Sequence, residues 1–108
     1  MFSMIGVMGE DIASKYIQNK GYIILRRNLY SRFGEIDIVA TKSQKIFLFE
    51  VKTTKSSYNI ISNVNKYKIE KIKKTFFKKY AVSCEAKYGI RILIINLSND
   101  IKIMNYGL

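Results

Sequence analysis

Histidine, proline and tryptophan are absent from the sequence, and cysteine occurs once, as Cys84. The lack of histidine excludes Ser-His and Cys-His catalytic pairs and His-ligated zinc, and one cysteine cannot hold zinc by itself. It cannot close an internal disulfide either, which fits a reducing cytoplasm, and we interpret Cys84 as a packing or surface residue. Glycine-rich phosphate-binding loops are also missing. Any bound metal must therefore have oxygen ligands, which favours a hard cation such as Mg²⁺ or Mn²⁺.

Long hydrophobic runs are missing as well. No stretch of about 18 uncharged apolar residues occurs, so no transmembrane helix is predicted. The apolar segment 1–8 is short and is closely followed by Glu10 and Asp11, which is unlike a signal peptide. The 108 residues, 48% of them hydrophobic, suffice for one core and leave no room for a second domain. We therefore expect a single cytoplasmic domain over residues 1–108.

Acidic residues are scarce: 8 Asp and Glu stand against 19 Lys and Arg, for a formal net charge of +11. Lysine outnumbers arginine 15 to 4 and isoleucine reaches 18, a bias typical of AT-rich genomes, so the total charge alone is weak evidence for nucleic-acid binding. Its distribution is more informative. Residues 1–40 carry a net charge of +1 and residues 41–108 a net charge of +10, so the second part of the chain is the cationic one.

Hydrophobic periodicity predicts two helices and five strands, in the order α-β-β-β-α-β-β. The helices are expected at about 8–20 and 64–82, and the first of them ends at Gly21. Its apolar face is formed by Ile12, Ala13, Tyr16 and Ile17. The strands are expected at about 22–30, 35–41, 45–53, 90–97 and 101–105, and a polar loop covers 55–63.

The third strand indicates the architecture, because it is apolar on both faces. Ile46 and Leu48 point to one side, and Phe47, Phe49 and Val51 point to the other. Such a strand is typical of the centre of a sheet that helices cover on both sides. The sequence therefore predicts an α/β sandwich around a central mixed sheet.

The acids of the second strand follow the same alternation. Glu35 and Asp37 are expected on one face, and Ile36 and Ile38 on the other. A hairpin turn centred between residues 43 and 44 would place Asp37 opposite Glu50, and Glu35 opposite Lys52.

Opposed side chains of this kind have Cβ atoms about 4.5–5.5 Å apart. Two carboxylates at that separation repel each other unless a cation lies between them, so Asp37 and Glu50 are candidate ligands for Mg²⁺. Lys52 would then orient a water molecule or stabilise charge on a phosphodiester in the transition state. The alternative is an ion-pair cluster at the rim of the sheet.

The wider motif adds a resemblance. Asp37 followed by Glu50-Val51-Lys52 resembles the Asp…Glu-x-Lys signature of PD-(D/E)xK nucleases. This motif and further residues together make the chain resemble the YraN family over about residues 6–95. The members of that family are small, largely uncharacterised bacterial proteins. The further residues are Met8-Gly9-Glu10, Ala13, Gly21-Tyr22, Asn28, Gly34-Glu35-Ile36-Asp37-Ile38-Val39-Ala40 and Phe49. The resemblance implies a restriction-endonuclease-like fold related to archaeal Holliday-junction resolvases.

By this resemblance Asp37 and Glu50 are metal ligands and Lys52 is the catalytic lysine. Glu10 matches the helical glutamate that completes such sites, although an acid near a helix N-terminus is also favoured by the helix dipole. Glu35 belongs to the Gly-Glu-Ile-Asp motif, where it is expected to pair with Lys52.

The sequence departs from the family at two places. Thr53-Thr54 stand where an arginine usually follows Glu-x-Lys, and Arg91-Ile92-Leu93 stand where the late strand usually reads Arg-aromatic-Asp. By the resemblance, the first change would weaken a phosphate contact and the second would remove a structural or supporting acid, so both bear on catalysis more than on the fold.

The second helix has a buried stripe, which Ile69, Ile72, Phe76 and Tyr80 are expected to form, and a basic opposite face. Lys71, Lys74 and Lys78 on that face would follow a phosphate backbone, or else form a solvated surface. Lys68 matches a lysine common in the family and would approach the active site. Tyr58 and Tyr67 would stack on unpaired bases, or else pack internally.

These observations lead to three hypotheses. The first is a metal-dependent endonuclease that hydrolyses DNA phosphodiester bonds, with branched or single-stranded DNA as substrate. The second is a nucleic-acid-binding module on the same fold that does not cleave. The third is a structural partner protein whose acids form an ion-pair cluster. A homodimer would suit a symmetric substrate such as a four-way junction.

Overall fold

The computed structural model describes residues 4–54, 66–80, 88–96 and 101–105. Within these ranges the elements follow the predicted order, so the expected α/β class is confirmed. The helices are α1 (Met4–Asn19) and α2 (Lys66–Tyr80). The strands are β1 (Ile23–Ser31), β2 (Gly34–Lys42), β3 (Lys45–Thr54), β4 (Tyr88–Asn96) and β5 (Ile101–Asn105). The predicted loop at 55–63, Tyr58 and Cys84 lie outside the described residues.

The strands form one mixed sheet in the order β1-β2-β3-β4-β5. The pairs β1–β2, β2–β3 and β4–β5 are antiparallel, and β3–β4 is parallel. β3 lies at the centre, as its two apolar faces predict. The parallel pair requires a crossover connection, and α2 lies within that crossover.

Each face of the sheet carries its own hydrophobic core. The core under α1 contains Ala13, Ile17, Ile38, Ala40, Phe47, Phe49 and Leu93. The core under α2 contains Leu29, Ile36, Val39, Leu48, Ile69, Ile72 and Phe76. The expected sandwich, with a helix on each face of the sheet, is therefore confirmed.

The β2–β3 hairpin has the predicted register. Ser43 and Gln44 form its two-residue turn with φ of 53° and 64°, and positive φ at both central residues is the requirement of a type I′ turn. The ladder runs from the pair Lys42–Lys45 to the pair Ile38–Phe49. Every pair matches a turn centred between Ser43 and Gln44.

The first helix ends as expected and buries most of its predicted apolar face: Ala13 and Ile17 lie in the core, and Tyr16 packs against it. Gly21 has φ of 95°, and the N–H groups of Gly21 and Tyr22 donate to the carbonyls of Gln18 and Ile17, which is the Schellman pattern. The expected burial of Ile12 is wrong, because its side chain is 44% exposed. At about 100° per residue, Ile12 is turned about 140° away from the buried Ile17. None of the described helices is long and apolar enough to cross a membrane.

Candidate active site

Three carboxylates from two elements meet at one end of the sheet. Glu10 comes from α1, and Glu35 and Asp37 come from β2. One carboxylate oxygen from each lies within 4.8 Å of the other two. We call these residues the carboxylate cluster. The sequence placed Glu35 and Asp37 together and assigned Glu10 to the same site by resemblance.

Asn28 on β1 connects two members of the cluster. Its φ of 54° is left-handed, a conformation that asparagine tolerates better than most residues. With the amide oriented to satisfy its neighbours, the nitrogen donates to Glu10 Oε1 at 2.8 Å and to Glu35 Oε1 at 3.1 Å. The sequence contained Asn28 only as a motif residue without a role. Asn28 directly follows Arg26 and Arg27 in β1, so the hydrophobic pattern of the strand did not single it out.

β2 separates from β3 at Asp37. Counted from the hairpin turn, the backbone ladder reaches the pair Ile38–Phe49, and Asp37 is the first residue of β2 beyond it. The Asp37 carboxylate accepts a 2.7 Å hydrogen bond from the Val51 N–H. The ladder therefore contains neither of the two expected pairs, Asp37–Glu50 and Glu35–Lys52, and Lys52 forms its ion pair with Glu50. On the opposite edge of β2, Glu35 is paired with Tyr30 of β1.

The side-chain alternation of β2 also reverses at this point. Ile36 packs in the core under α2, and Ile38 packs in the core under α1. The expectation that the two isoleucines share a face is wrong, because regular alternation holds only where the strand stays regular. The Glu35 and Asp37 carboxylates still converge, despite the reversal.

Burial and like charge dominate the electrostatics of the cluster. Burial, followed by repulsion from Glu50, raises the pKa of Asp37 from 3.8 to about 8, against the opposing effect of the Val51 hydrogen bond. Burial and then the charge of Glu35 raise the pKa of Glu10. Such a site favours either a bound proton or a bound cation. Three oxygen donors at this spacing fit a hard divalent cation.

Glu50 is held by two lysines rather than by the cluster. Its side chain is buried, and its Oε1 atom lies 2.7 Å from Lys68 Nζ on α2 and 3.2 Å from Lys52 Nζ on its own strand. Burial and the neighbouring Lys68 lower the pKa of Lys52, although Glu50 opposes this. Burial opposes protonation of Lys68 too, but hydrogen bonding to Glu50 raises its pKa overall. The proposed pairing of Asp37 with Glu50 as metal ligands stays a prediction.

The basic residues of α2 differ in their surroundings. Lys74 and Lys78 are exposed, while Lys71 is half-buried. Lys71 Nζ lies 4.5 Å from the ring centroid of Tyr67. The buried stripe contains Ile69, Ile72, Phe76 and also Thr75, and the Tyr80 side chain lies outside the described part of the chain.

Comparison with known proteins places the chain in a family. The model of the uncharacterised protein family UPF0102 matches residues 9–97. A UPF0102 protein of Campylobacter hominis is 46% identical over 95 residues, which cover 88% of this chain and 84% of that protein. Another, from Campylobacter jejuni, is 38% identical over 96 residues, which cover 89% of this chain and 85% of that protein. A third, from Campylobacter fetus, is 38% identical over 102 residues, which cover 94% of this chain and 90% of that protein. The chain therefore belongs to the uncharacterised protein family UPF0102, the YraN family that its motifs resemble.

Proposed function

We propose that this protein is a divalent-metal-dependent endonuclease that hydrolyses DNA phosphodiester bonds. The observation that carries the proposal is the carboxylate cluster of Glu10, Glu35 and Asp37, gathered within 4.8 Å. Lys52, with its lowered pKa, adds a second catalytic group on the adjacent strand. Acidic oxygen donors beside a lysine are what metal-assisted phosphodiester hydrolysis requires.

The residues fit a hard cation. Asp37, with Glu10 and Glu35, offers the oxygen ligands that Mg²⁺ and Mn²⁺ prefer, and the family resemblance adds Glu50. When bound, such an ion would polarise the phosphodiester and acidify a water molecule. The raised pKa values of Asp37 and Glu10 support this assignment, because a cation would relieve the same repulsion that favours the proton.

The lysines of the site have separate roles in the proposal. Lys52 Nζ is half-buried and oriented by Glu50, so it can donate hydrogen bonds to a phosphate oxygen as negative charge develops there. Lys68 Nζ neutralises the same glutamate from α2. The two ion pairs offset the cost of burying this carboxylate.

The direct test is cleavage. Pure protein with Mn²⁺ or Mg²⁺ is incubated with duplex, single-stranded, flap and four-way-junction DNA, and the products are separated on denaturing gels. Cleavage that requires the metal supports the proposal. Binding to these DNAs without cleavage of any of them would instead support the non-catalytic nucleic-acid-binding module. No binding and no cleavage would exclude both.

Metal binding should be visible as stabilisation. At ten times its dissociation constant, Mn²⁺ is expected to raise the free energy of unfolding by about 1.4 kcal/mol, because it binds the folded cluster. The double variant Glu10→Gln, Asp37→Asn should lose this Mn²⁺-dependent shift in Tm. Glu70→Gln, which removes an exposed acid from α2, is the matched control and should keep it. If Mn²⁺ shifted the Tm of the wild type, the double variant and Glu70→Gln equally, the assignment of Glu10 and Asp37 as ligands would be wrong.

The salt dependence of DNA binding tests the basic face of α2. If Lys74 and Lys78 each contact one phosphate, each alanine variant should reduce the slope of log affinity against log salt by about 0.9 on duplex DNA. Lys45→Ala, at the β2–β3 hairpin, removes an exposed lysine from another part of the protein and should leave the slope unchanged. Unchanged slopes in Lys74→Ala and Lys78→Ala would mean that this face is only solvated.

A further inference from the structure

A cavity of about 350 Å³ lies beside the carboxylate cluster, between the tip of the β1–β2 hairpin and α2. Its volume falls within the range of small-molecule sites, roughly 300–1,000 Å³. It shares Glu35 with the cluster, so whatever occupies it lies next to the proposed site of cleavage. The residues that matter for its chemistry are Phe33, Glu35, Tyr67, Lys68, Lys71 and Ile72.

Two aromatic rings and several cations surround this cavity. Tyr67 is 68% exposed, although an aromatic ring of this size usually packs into a core. Lys71 Nζ lies 4.5 Å from its ring centroid. The Phe33 ring has the Arg32 guanidinium at 4.9 Å and Lys74 Nζ at 5.8 Å from its centroid. Aromatic faces flanked by cations are the surfaces on which single-stranded nucleic acids stack their bases.

The charged groups around the cavity determine how a nucleotide would be oriented in it. Glu35 and the carboxylates behind it repel a phosphate group, whereas two lysines of α2 attract one: Lys71, which lines the cavity, and Lys74, which lies over the Phe33 ring. A nucleotide would therefore place its uncharged base in the cavity and its phosphates along α2. The apolar wall at Ile72 favours the base as well, because the faces of a nucleobase are less polar than a phosphate group.

We infer that this cavity receives an unpaired nucleobase next to the phosphate to be cleaved, so that the substrate is single-stranded DNA or DNA with unpaired nucleotides. The inference rests on the proposed function and specifies its substrate class. A base inside a duplex is stacked on its neighbours and cannot enter a concave site without being extruded. Duplex DNA would contact only the lysines.

Binding in EDTA tests the inference separately from cleavage. The probes are a short fluorescein-labelled oligothymidylate and a fully abasic strand of equal length, which keeps every phosphate but has no bases. Their affinities are measured by fluorescence anisotropy at low salt. The wild-type protein should prefer the strand with bases by about tenfold, which is typical of one or two stacking contacts.

Tyr67→Leu should reduce this preference several-fold and leave binding of the abasic strand unchanged. Phe33→Leu is the second variant and should act in the same direction. Tyr16→Leu is the matched control, since its ring also faces a lysine, Lys20 at 5.0 Å, but packs against the core under α1. It should keep the full preference.

The outcomes separate the two proposals. If both strands bind equally well to the wild type, or if Tyr67→Leu and Phe33→Leu keep the full preference, the base site is excluded while the nuclease proposal stands. If neither strand nor any duplex binds at low salt, both proposals fail. A preference that Tyr67→Leu and Phe33→Leu reduce and Tyr16→Leu retains supports the base site.

Discussion

Lys52→Ala is expected to lower the rate of DNA cleavage about 100- to 1,000-fold, the usual effect of removing one donor that stabilises transition-state charge. The fold should survive this change. The buried Glu50 keeps its 2.7 Å ion pair with Lys68 when Lys52 is removed, so no isolated charge remains in the core. The measurement is the single-turnover rate with Mn²⁺ on the best substrate of the DNA panel, with the protein in excess.

Two controls make this result interpretable. Lys45→Ala removes a lysine from the exposed start of the same strand and should cleave at the wild-type rate. The affinity of Lys52→Ala for the same DNA in EDTA should lie within a few-fold of wild type, because one of 19 cationic side chains is lost. If Lys52→Ala and wild type cleave every substrate at equal rates, the assignment of Lys52 is wrong.

Asp37→Asn is expected to stabilise the metal-free protein by several kcal/mol at pH 8, although it should abolish cleavage. The folded protein holds the pKa of Asp37 at about 8, and the ordinary value is 3.8. Between these pH values the unfolded chain releases a proton that the folded chain retains. The free energy of unfolding of the wild type therefore falls as pH rises from about 4 to about 8, by about 1.4 kcal/mol for each pKa unit.

Asparagine carries no such titration and can still accept the Val51 hydrogen bond through its side-chain oxygen. The free energies of unfolding of the wild type and Asp37→Asn are measured in urea with EDTA. The titration of Asp37 should contribute no difference between them at pH 4, and Asp37→Asn should become increasingly more stable than the wild type towards pH 8. Asp11→Asn, which removes an acid outside the cluster, controls for the change in net charge. An Asp37→Asn advantage that does not grow with pH would contradict the raised pKa of Asp37.

The regular parts of the fold were predictable because they follow from periodicity. The two apolar faces of β3 identified the central strand, and the turn at Ser43 and Gln44 fixed the register of the β2–β3 hairpin. These signals lie within short stretches of the chain, so a single sequence is enough to detect them.

The site was predictable only in part, because it depends on departures from regularity. The break of β2 at Asp37 and the left-handed backbone of Asn28 leave no mark on hydrophobic spacing. Lys68 reaches Glu50 from a helix that is distant in sequence, so no local pattern reports this contact. The sequence named most of the participating residues, but it paired Lys52 with Glu35, whereas Lys52 forms its ion pair with Glu50.

The crossover between β3 and β4 has a consequence for the order of folding. β1, β2 and β3 pair through two tight hairpins and need only short loops to close, whereas the pair Ile46–Tyr88 joins distant parts of the chain. Closing the longer loop costs more entropy, so the meander should form before β4 docks. Every carboxylate of the proposed site comes from α1, β2 or β3, and Lys68 arrives with the crossover. The Lys68–Glu50 ion pair thus links the early-forming and late-forming parts of the molecule.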